Sequence, residues 1–462
     1  MCASVNEYQS TEKVAEESAE ASSIWSRTWK IRSSAKSSVS TASQKTFKKM
    51  DILIVTNHFM PESFRINDLA KDLVNRGHKV SVLTSIPYYP IGKYFDGYGL
   101  FSKRKEVEHS INIQRVPVIP RGSGSALRML LNYTSSCVAF CTAALISRRK
   151  HDVVFVFGTS PLTIGLPALI TRFKHGTPIV LWVLDLWPES LRAAGGVSNL
   201  FVLSLIRKII NAIYRQCECI FISCKGFSAS ISPFIHKNRT SIEHLPNWVE
   251  PPVVSDSDID LPKLPDGFRI VFTGNVGEAQ DFEKILESAV SLKGYKDIHW
   301  ILVGEGRKLD WIKEQVALLD LQDNIHLFGS YPRENMAYFY KYADCLLLSL
   351  KDDEIFHLTV PGKLQAYMDS GRPVLAAISG ESADLIHEAD CGLVSDTNDS
   401  ESFAKTVVKM YQLEASDRDR LGRNGKNYSD SRYNRNKLFD RVEQVLASCV
   451  HTKEISAANG LS

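Results

Sequence analysis

From Met50 onward the chain alternates between two hydrophobic periods. Short apolar runs without polar alternation, such as DILIVT (51–56), KVSVLT (79–84), DVVFVFG (152–158), PIVLWVLDL (178–186) and CIFIS (219–223), read as strands with helices on both sheet faces. INIQRVPVI (111–119) reads the same way. Between these runs, apolar residues recur every three or four positions. FRINDLAKDLVNRGH (stopping at Gly77), a long stretch around Arg128–Ser147, PLTIGLPALITRF and FVLSLIRKIINAIYRQ are the resulting helices. Strand, helix and strand within about 35 residues predict a parallel sheet.

Residues 245–265, LPNWVEPPVVSDSDIDLPKLP, interrupt the pattern with Pro, Asp and Ser and read as a linker. A second series follows it: strands in FRIVFTG, IHWILVGEG, NIHLFGS and DCLLLSL, separated by helices in FEKILESAVSL, LDWIKEQVALL and RENMAYFYKYA. The spacing therefore predicts an α/β protein with two Rossmann-like parallel-sheet domains. We place the first at 50–247, a linker at 248–265, the second at 266–430, and a helix at 431–450 that returns to the first domain. A tail at 451–462 closes the chain. Two such sheets leave a cleft at their carboxyl ends, where open α/β sheets take ligands. Residues 1–49 are Ser-rich, poor in large apolar residues and charged, the composition of a disordered extension.

Composition narrows the function only a little. A net charge of +3 over 462 residues gives no reason to expect a nucleic-acid partner. Nine scattered cysteines, with no paired CxxC or His at zinc spacing, argue against a disulfide framework and a structural metal, and suit a reducing cytoplasm. The longest uncharged stretch, Met129–Ile146, holds Asn132, Thr134, Ser135, Ser136 and Thr142. Those polar residues favour a buried domain helix over a membrane span, which needs about 20 mostly apolar residues. Its flank Arg148-Arg149-Lys150 leaves a peripheral membrane contact open.

The stretch TVPGKLQAYMDSGRPVLAA (359–377) reads as loop, helix, Gly stop and strand. Its first turn, Gly362-Lys363-Leu364, would present backbone N–H groups and the positive end of the helix dipole, with a lysine beside them, to an anion such as a nucleotide diphosphate. Gly274-Asn275 and Gly304-Glu305-Gly306 occupy equivalent strand-to-helix loops of the same domain, where glycine lets backbone approach a ligand. No GxGxxG or GxxxxGK[ST] stands in the required context, which disfavours a dinucleotide or P-loop site. In the first domain Asp185 ends the run LWVLD, with Glu189 just beyond, placed to bind or deprotonate a substrate hydroxyl. An Asp capping the following turn explains the same residue. His58 and Arg65 in the first loop, and Tyr88 in the aromatic loop IPYYPIGKYFDGYGLF, would face the same cleft.

Several longer runs carry a resemblance. NHFMPESFRINDLAKDLVNRGHKVSVLTSIPYYPIGKYFDGYG, VLWVLDLWPESL, TGNVGEAQDFEKILESA, LVGEGRKL and TVPGKLQAYMDSGRPVLAAISGE occur in order over most of the chain. In these the chain resembles the family 4 glycosyltransferases of the GT-B fold, in particular the WbuB- and WcaI-like enzymes of bacterial surface-polysaccharide assembly. The resemblance implies retaining transfer of a sugar from a UDP- or GDP-linked donor to a glycan or lipid-linked acceptor, without metal or other cofactor, at the cytoplasmic side. Two departures stand out. The glutamate pair of many members is replaced by His357 and Gln365, and their usual Arg and Lys fall at Asn275 and Gln280. On this reading Lys363 neutralises the diphosphate and Gln365 holds the ribose. The first-loop diglycine is also replaced, by Ser63 and Phe64. A nucleotide-sugar 2-epimerase and a non-catalytic scaffold on the same fold are the alternatives.

Overall fold

The computed structural model describes residues 47–122, 125–193, 199–236, 238–250, 261–395 and 399–458. The proposed extension (up to residue 46) and the middle of the linker (251–260) lie outside the described residues. From Lys48 on, the chain forms one compact unit built on two sheets.

The first sheet holds β1 (Asp51–Thr56), β2 (Lys79–Ser85), β3 (Lys105–Glu108), β4 (Ile111–Val116), β5 (Val153–Gly158), β6 (Ile179–Val183), β7 (Cys219–Ile222) and β8 (Ser241–His244). Their spatial order is β3-β4-β2-β1-β5-β6-β7-β8. All neighbours are parallel except the β3–β4 edge pair, and Ile54 pairs with Val82 on one side and Phe155 on the other. The second sheet holds β9 (Phe268–Thr273), β10 (Ile298–Val303), β11 (Ile325–Gly329), β12 (Cys345–Ser349), β13 (Val374–Ala377) and β14 (Gly392–Ser395). It is parallel throughout, in the order β11-β10-β9-β12-β13-β14. β3 and β8 are four-residue edge strands with mixed polarity (KEVE and SIEH), too short and too polar to register as apolar runs.

Seven helices matter to the argument. They are α1 (Arg65–Asn75), α2 (Ala126–Ile146), α3 (Leu166–His175), α4 (Leu200–Tyr214), α5 (Gly362–Asp369), α6 (Glu381–Glu388) and α7 (Arg435–Ala458). In the first lobe α1 covers one face of the sheet, while α2, α3 and α4 cover the other. The α1 face is sealed by α7. Phe439, Val442 and Leu446 join the core of Ile52, Ile54 and Phe155, and Phe439 meets Trp248 edge-on at 4.7 Å. α7 runs to Ala458, beyond the end expected at 450, and His78 and Arg76 bond its Glu443.

The face carried by α2 departs from expectation. The helix is not buried: its inward positions are Asn132, Ser136, Phe140 and Ala144, whereas Leu127, Leu130, Leu131, Val138, Leu145 and Ile146 are exposed. The polar residues that favoured a core helix are in part the ones facing the core. Asn132 donates to the Ile119 carbonyl at 2.7 Å and to the Tyr88 hydroxyl at 3.1 Å.

Candidate active site

The carboxyl ends of both sheets face one another across a seam, and the second lobe's side is made of backbone. Gly274 follows β9 with φ 119°, and its N–H donates to Val303 O at 2.8 Å. Gly304 follows β10 with φ 148°, and a Cβ there would lie 1.8 Å from Gly274 O. A Cβ on Gly306 would lie 2.0 Å from Val276 O, and the Val276 N–H donates to Glu305 O at 2.8 Å. Only glycine permits these two loops to lie so close. Gln280 closes the first loop by accepting from the Gly277 N–H at 3.0 Å; Asn275 and Glu305 are exposed at the rim.

α5 brings the third loop to this place. Pro361 is its N-cap with extended backbone, so Gly362 and Lys363 occupy the first turn, where N–H groups have no partner within the helix. The Lys363 side chain folds back over the glycine loop. Its Nζ sits 3.7 Å from the centre of the Phe272 ring, and its Cε lies 3.0 Å from where a Cβ of Gly274 would be. Among the described residues no carboxylate pairs with it. Burial alone pulls its ammonium down to a pKa of about 7.

Arg65 comes from the other lobe to the same helix mouth. Its Nη2 lies 3.3 Å from where a Cβ of Gly362 would sit. Its Nε donates to the Trp248 carbonyl and faces Glu250 at 3.3 Å, and Glu250 also holds Arg333. Burial, and then the neighbouring Arg333, lower its pKa to about 10. Arg65 was expected on the acceptor side; the structure ties it to the linker and to the first turn of α5.

Other assignments made on the sequence are revised. The Leu364 side chain is fully buried in the core, and its N–H is already spent on Pro361 O at 2.9 Å. Gln365 is turned inward, where its amide N–H groups reach the carbonyls of Pro361 (3.1 Å) and Gly362 (3.2 Å), so this conformation does not offer it to a ribose. His357 bonds Asp352.

On the first lobe, Asp185 lies two residues beyond β6. Its Oδ2 accepts from the Ser160 hydroxyl at 2.8 Å and from the Ser160 N–H at 3.2 Å. Trp187 Nε1 donates to the same hydroxyl at 2.8 Å, and burial raises the carboxyl pKa. His58 and Tyr88 are buried rather than lining open space. They are organised by Glu62, which sequence reasoning did not single out. Its Oε2 lies 3.0 Å from His58 Nδ1, and its Oε1 accepts from the N–H groups of Tyr88 (2.8 Å) and Tyr89 (2.6 Å). Phe64 stacks on His58 at 4.8 Å. Glu189 points away from this network to pair with Arg207 at 2.9 Å.

Three further contacts close the seam. Cys224 Sγ accepts from the Val360 N–H at 3.1 Å. A Cβ on Gly226 would press to 2.8 Å from the Leu358 side chain. Glu381, the first residue of α6, accepts from the N–H groups of Lys225 (2.8 Å) and Gly226 (2.7 Å), a cap on another lobe's backbone. Glu381 opens a helix after a glycine, the usual place for an acid, yet nothing local names its partner. A separate cavity of about 400 Å³ lies beneath α2, beside Leu53, Val82 and Ala144, and none of the candidate site residues lines it.

Comparison with known proteins bears on this arrangement. The "Glycosyl transferase 4-like domain" model matches residues 63–248, and the "Glycosyl transferases group 1" model matches 256–428. Both models are glycosyl transferase models and together they cover most of the chain, so the chain belongs to the glycosyl transferases. It is 27% identical over 281 residues to the probable glycosyltransferase WbjE of Pseudomonas aeruginosa, covering 59% of this chain and 69% of that one. It is 24% identical over 321 residues to the putative colanic acid biosynthesis glycosyl transferase WcaI of Escherichia coli, covering 65% and 77%. Among solved structures, Anabaena HepE in complex with UDP superposes with a TM-score of 0.62 at 12% identity, over 86% of this chain and 100% of that one. The glycosyltransferase therefore has the GT-B fold, and it is similar to both WbjE and WcaI.

Proposed function

We propose that this glycosyltransferase moves a sugar from a nucleoside diphosphate sugar to a hydroxyl of a glycan or lipid-linked acceptor in surface-polysaccharide assembly. The observation that carries this reading is Lys363: a largely dehydrated ammonium with no carboxylate partner among the described residues, over a glycine loop and at the open turn of a helix. Holding such a charge out of water is costly unless an anion completes it. A diphosphate fits, since the N–H groups of Gly362 and Lys363 and the Arg65 guanidinium converge there. These groups would carry the charge that develops on the leaving diphosphate, the largest kind of term in group transfer. Arg65 thereby supplies a cation where Asn275 and Gln280 replace the family's basic pair. UDP is the favoured nucleotide, because HepE was solved in complex with UDP on the same fold; GDP is the competing one.

Asp185, oriented by Ser160, is proposed to accept the hydrogen bond of the attacking hydroxyl. Transfer with retention, neutralisation of the diphosphate by protein groups, and work at the cytosolic membrane face complete the reading. Calorimetric titration of UDP and GDP into the full chain, and into Lys363→Ala, tests it. One nucleotide should bind the parent and bind the variant far more weakly. Absence of binding by either nucleotide would overturn the proposal in favour of a scaffold, and donor turnover without acceptor would favour an epimerase.

A further inference from the structure

The layer formed by α2, α3 and α4 buries one apolar side against the sheet and exposes further large apolar side chains on its outer side. α2 keeps Asn132 and Ser136 inside and turns Leu130, Leu131 and Val138 to solvent. α4 exposes Leu200 and Phe201, each 78% exposed, together with Leu205, and α3 between them exposes Phe173 at 75%. Large apolar side chains exposed together on three helices of one layer mark a surface that is normally covered. Part of α2, Leu127–Ile146, is long and apolar enough to cross a membrane by length and composition. It does not do so here. Asn132 is bonded to Tyr88 and Ile119, and Phe140 is packed in the lobe's core, so removing the helix from the sheet would orphan those groups.

Charge identifies what covers the face. None of the three helices contains an Asp or Glu; of their cations Arg172 and Arg207 pair with Glu218 and Glu189, whereas Arg128, Lys174 and Lys208 have no carboxylate partner among the described residues. Exposed Arg148, Arg149 and Lys150 follow α2 directly. Two copies pressed together here would bring cations against cations. A surface of anionic headgroups over acyl chains satisfies both the apolar and the basic parts. The face also begins beside the candidate site, since Tyr133 of α2 meets Trp187 edge-on at 5.6 Å and Arg207 of α4 pairs with Glu189.

We propose that the outer face of α2, α3 and α4 lies in the plane of an anionic lipid bilayer, with the apolar row seated among the headgroups and no segment spanning. The inference rests on the membrane-face part of the proposed function and not on its donor chemistry; its failure would remove that part alone, while sugar transfer is tested separately by the nucleotide titration.

Flotation of the full chain with vesicles tests it, using phosphatidylcholine alone or phosphatidylcholine with phosphatidylglycerol. The chain should float with the anionic vesicles and much less with the neutral ones. Arg148→Gln with Lys150→Gln should weaken partitioning about fivefold per charge removed. Leu130→Ser, Val138→Ser and Phe201→Ser combined should lower it at least about tenfold. These side chains are exposed, so the melting temperature and far-ultraviolet dichroism should not change. No flotation with either vesicle overturns the proposal. So does flotation that appears only after residues 1–46 are deleted, which would make that segment the occupant. A concentration-dependent dimer abolished by the triple variant, with no flotation, would instead identify a second copy as the partner.

Discussion

The two mouths of the seam are built on opposite plans. On the second lobe, backbone loops lie within glycine distance of each other and the Lys363 ammonium is held over the Phe272 ring with no carboxylate partner among the described residues. On the first lobe, the charged and polar side chains satisfy one another: Glu62 is shared by His58, Tyr88 and Tyr89, and Asp185 by Ser160. The contrast separates a site short of an anion from a site that is already organised. On the proposed reading the first gives up stability for ligand binding, and the second derives stability from the groups that position it.

The largest effect that would break this contrast is at Lys363. Lys363→Met should lower transfer by about 10²–10³, the scale for removing one donor to a developing negative charge, with acceptor-dependent release of nucleotide as the readout. The same variant should be more stable than the parent. Unfolded lysine keeps its ordinary pKa and the folded one falls to about 7, so burial of the charge costs stability at and below neutral pH and the cost fades as pH rises above 7. A gain on the order of 2 kcal/mol in denaturant titration at pH 6 is expected. A loss of both activity and stability would show Lys363 to be a structural cation.

Gly304→Ala comes next. A Cβ 1.8 Å from Gly274 O cannot be accommodated, and φ of 148° strains any other residue. The expected loss is on the order of 3 kcal/mol in urea unfolding, together with nucleotide binding. Glu62→Gln sharpens the first-lobe side. It keeps the shape but weakens charge-assisted bonds to two backbone N–H groups and to His58, for about 2 kcal/mol of stability with donor binding retained. The smallest effect is in pH. Below pH 7 Lys363 is already protonated, and above it diphosphate binding must take up a proton. Nucleotide affinity should therefore fall by up to about tenfold per pH unit above 7, a slope that calorimetry should find missing in Lys363→Met.

The fold was readable because both sheets are covered on two faces, which turns their central strands into unbroken apolar runs such as VVFVFG and CLLLS. Lys363 and the glycine loops were readable for a related reason: helix starts and strand-to-loop glycines are local chemistry. What failed was every inference that needed to know which way a side chain turns. Leu364 and Gln365 follow Lys363 by one and two positions, but on a helix that places them toward the core. α2 looked like a core helix because it contains polar residues, and nothing in its order shows that Asn132 and Ser136 are the inward ones.

By itself the sequence determined the alternation of strands and helices, the glycines that permit close loops, and a lysine at a helix start, because each is set by neighbours a few residues away. Tertiary structure alone decided that Arg65 reaches the mouth of α5 and that Glu381 caps backbone at 225 and 226. It also decided that the apolar side of α2 is the outer one. Those outcomes depend on contacts between residues up to about 300 positions apart, and on a helix the pattern of residue types defines the faces but not which face meets the sheet.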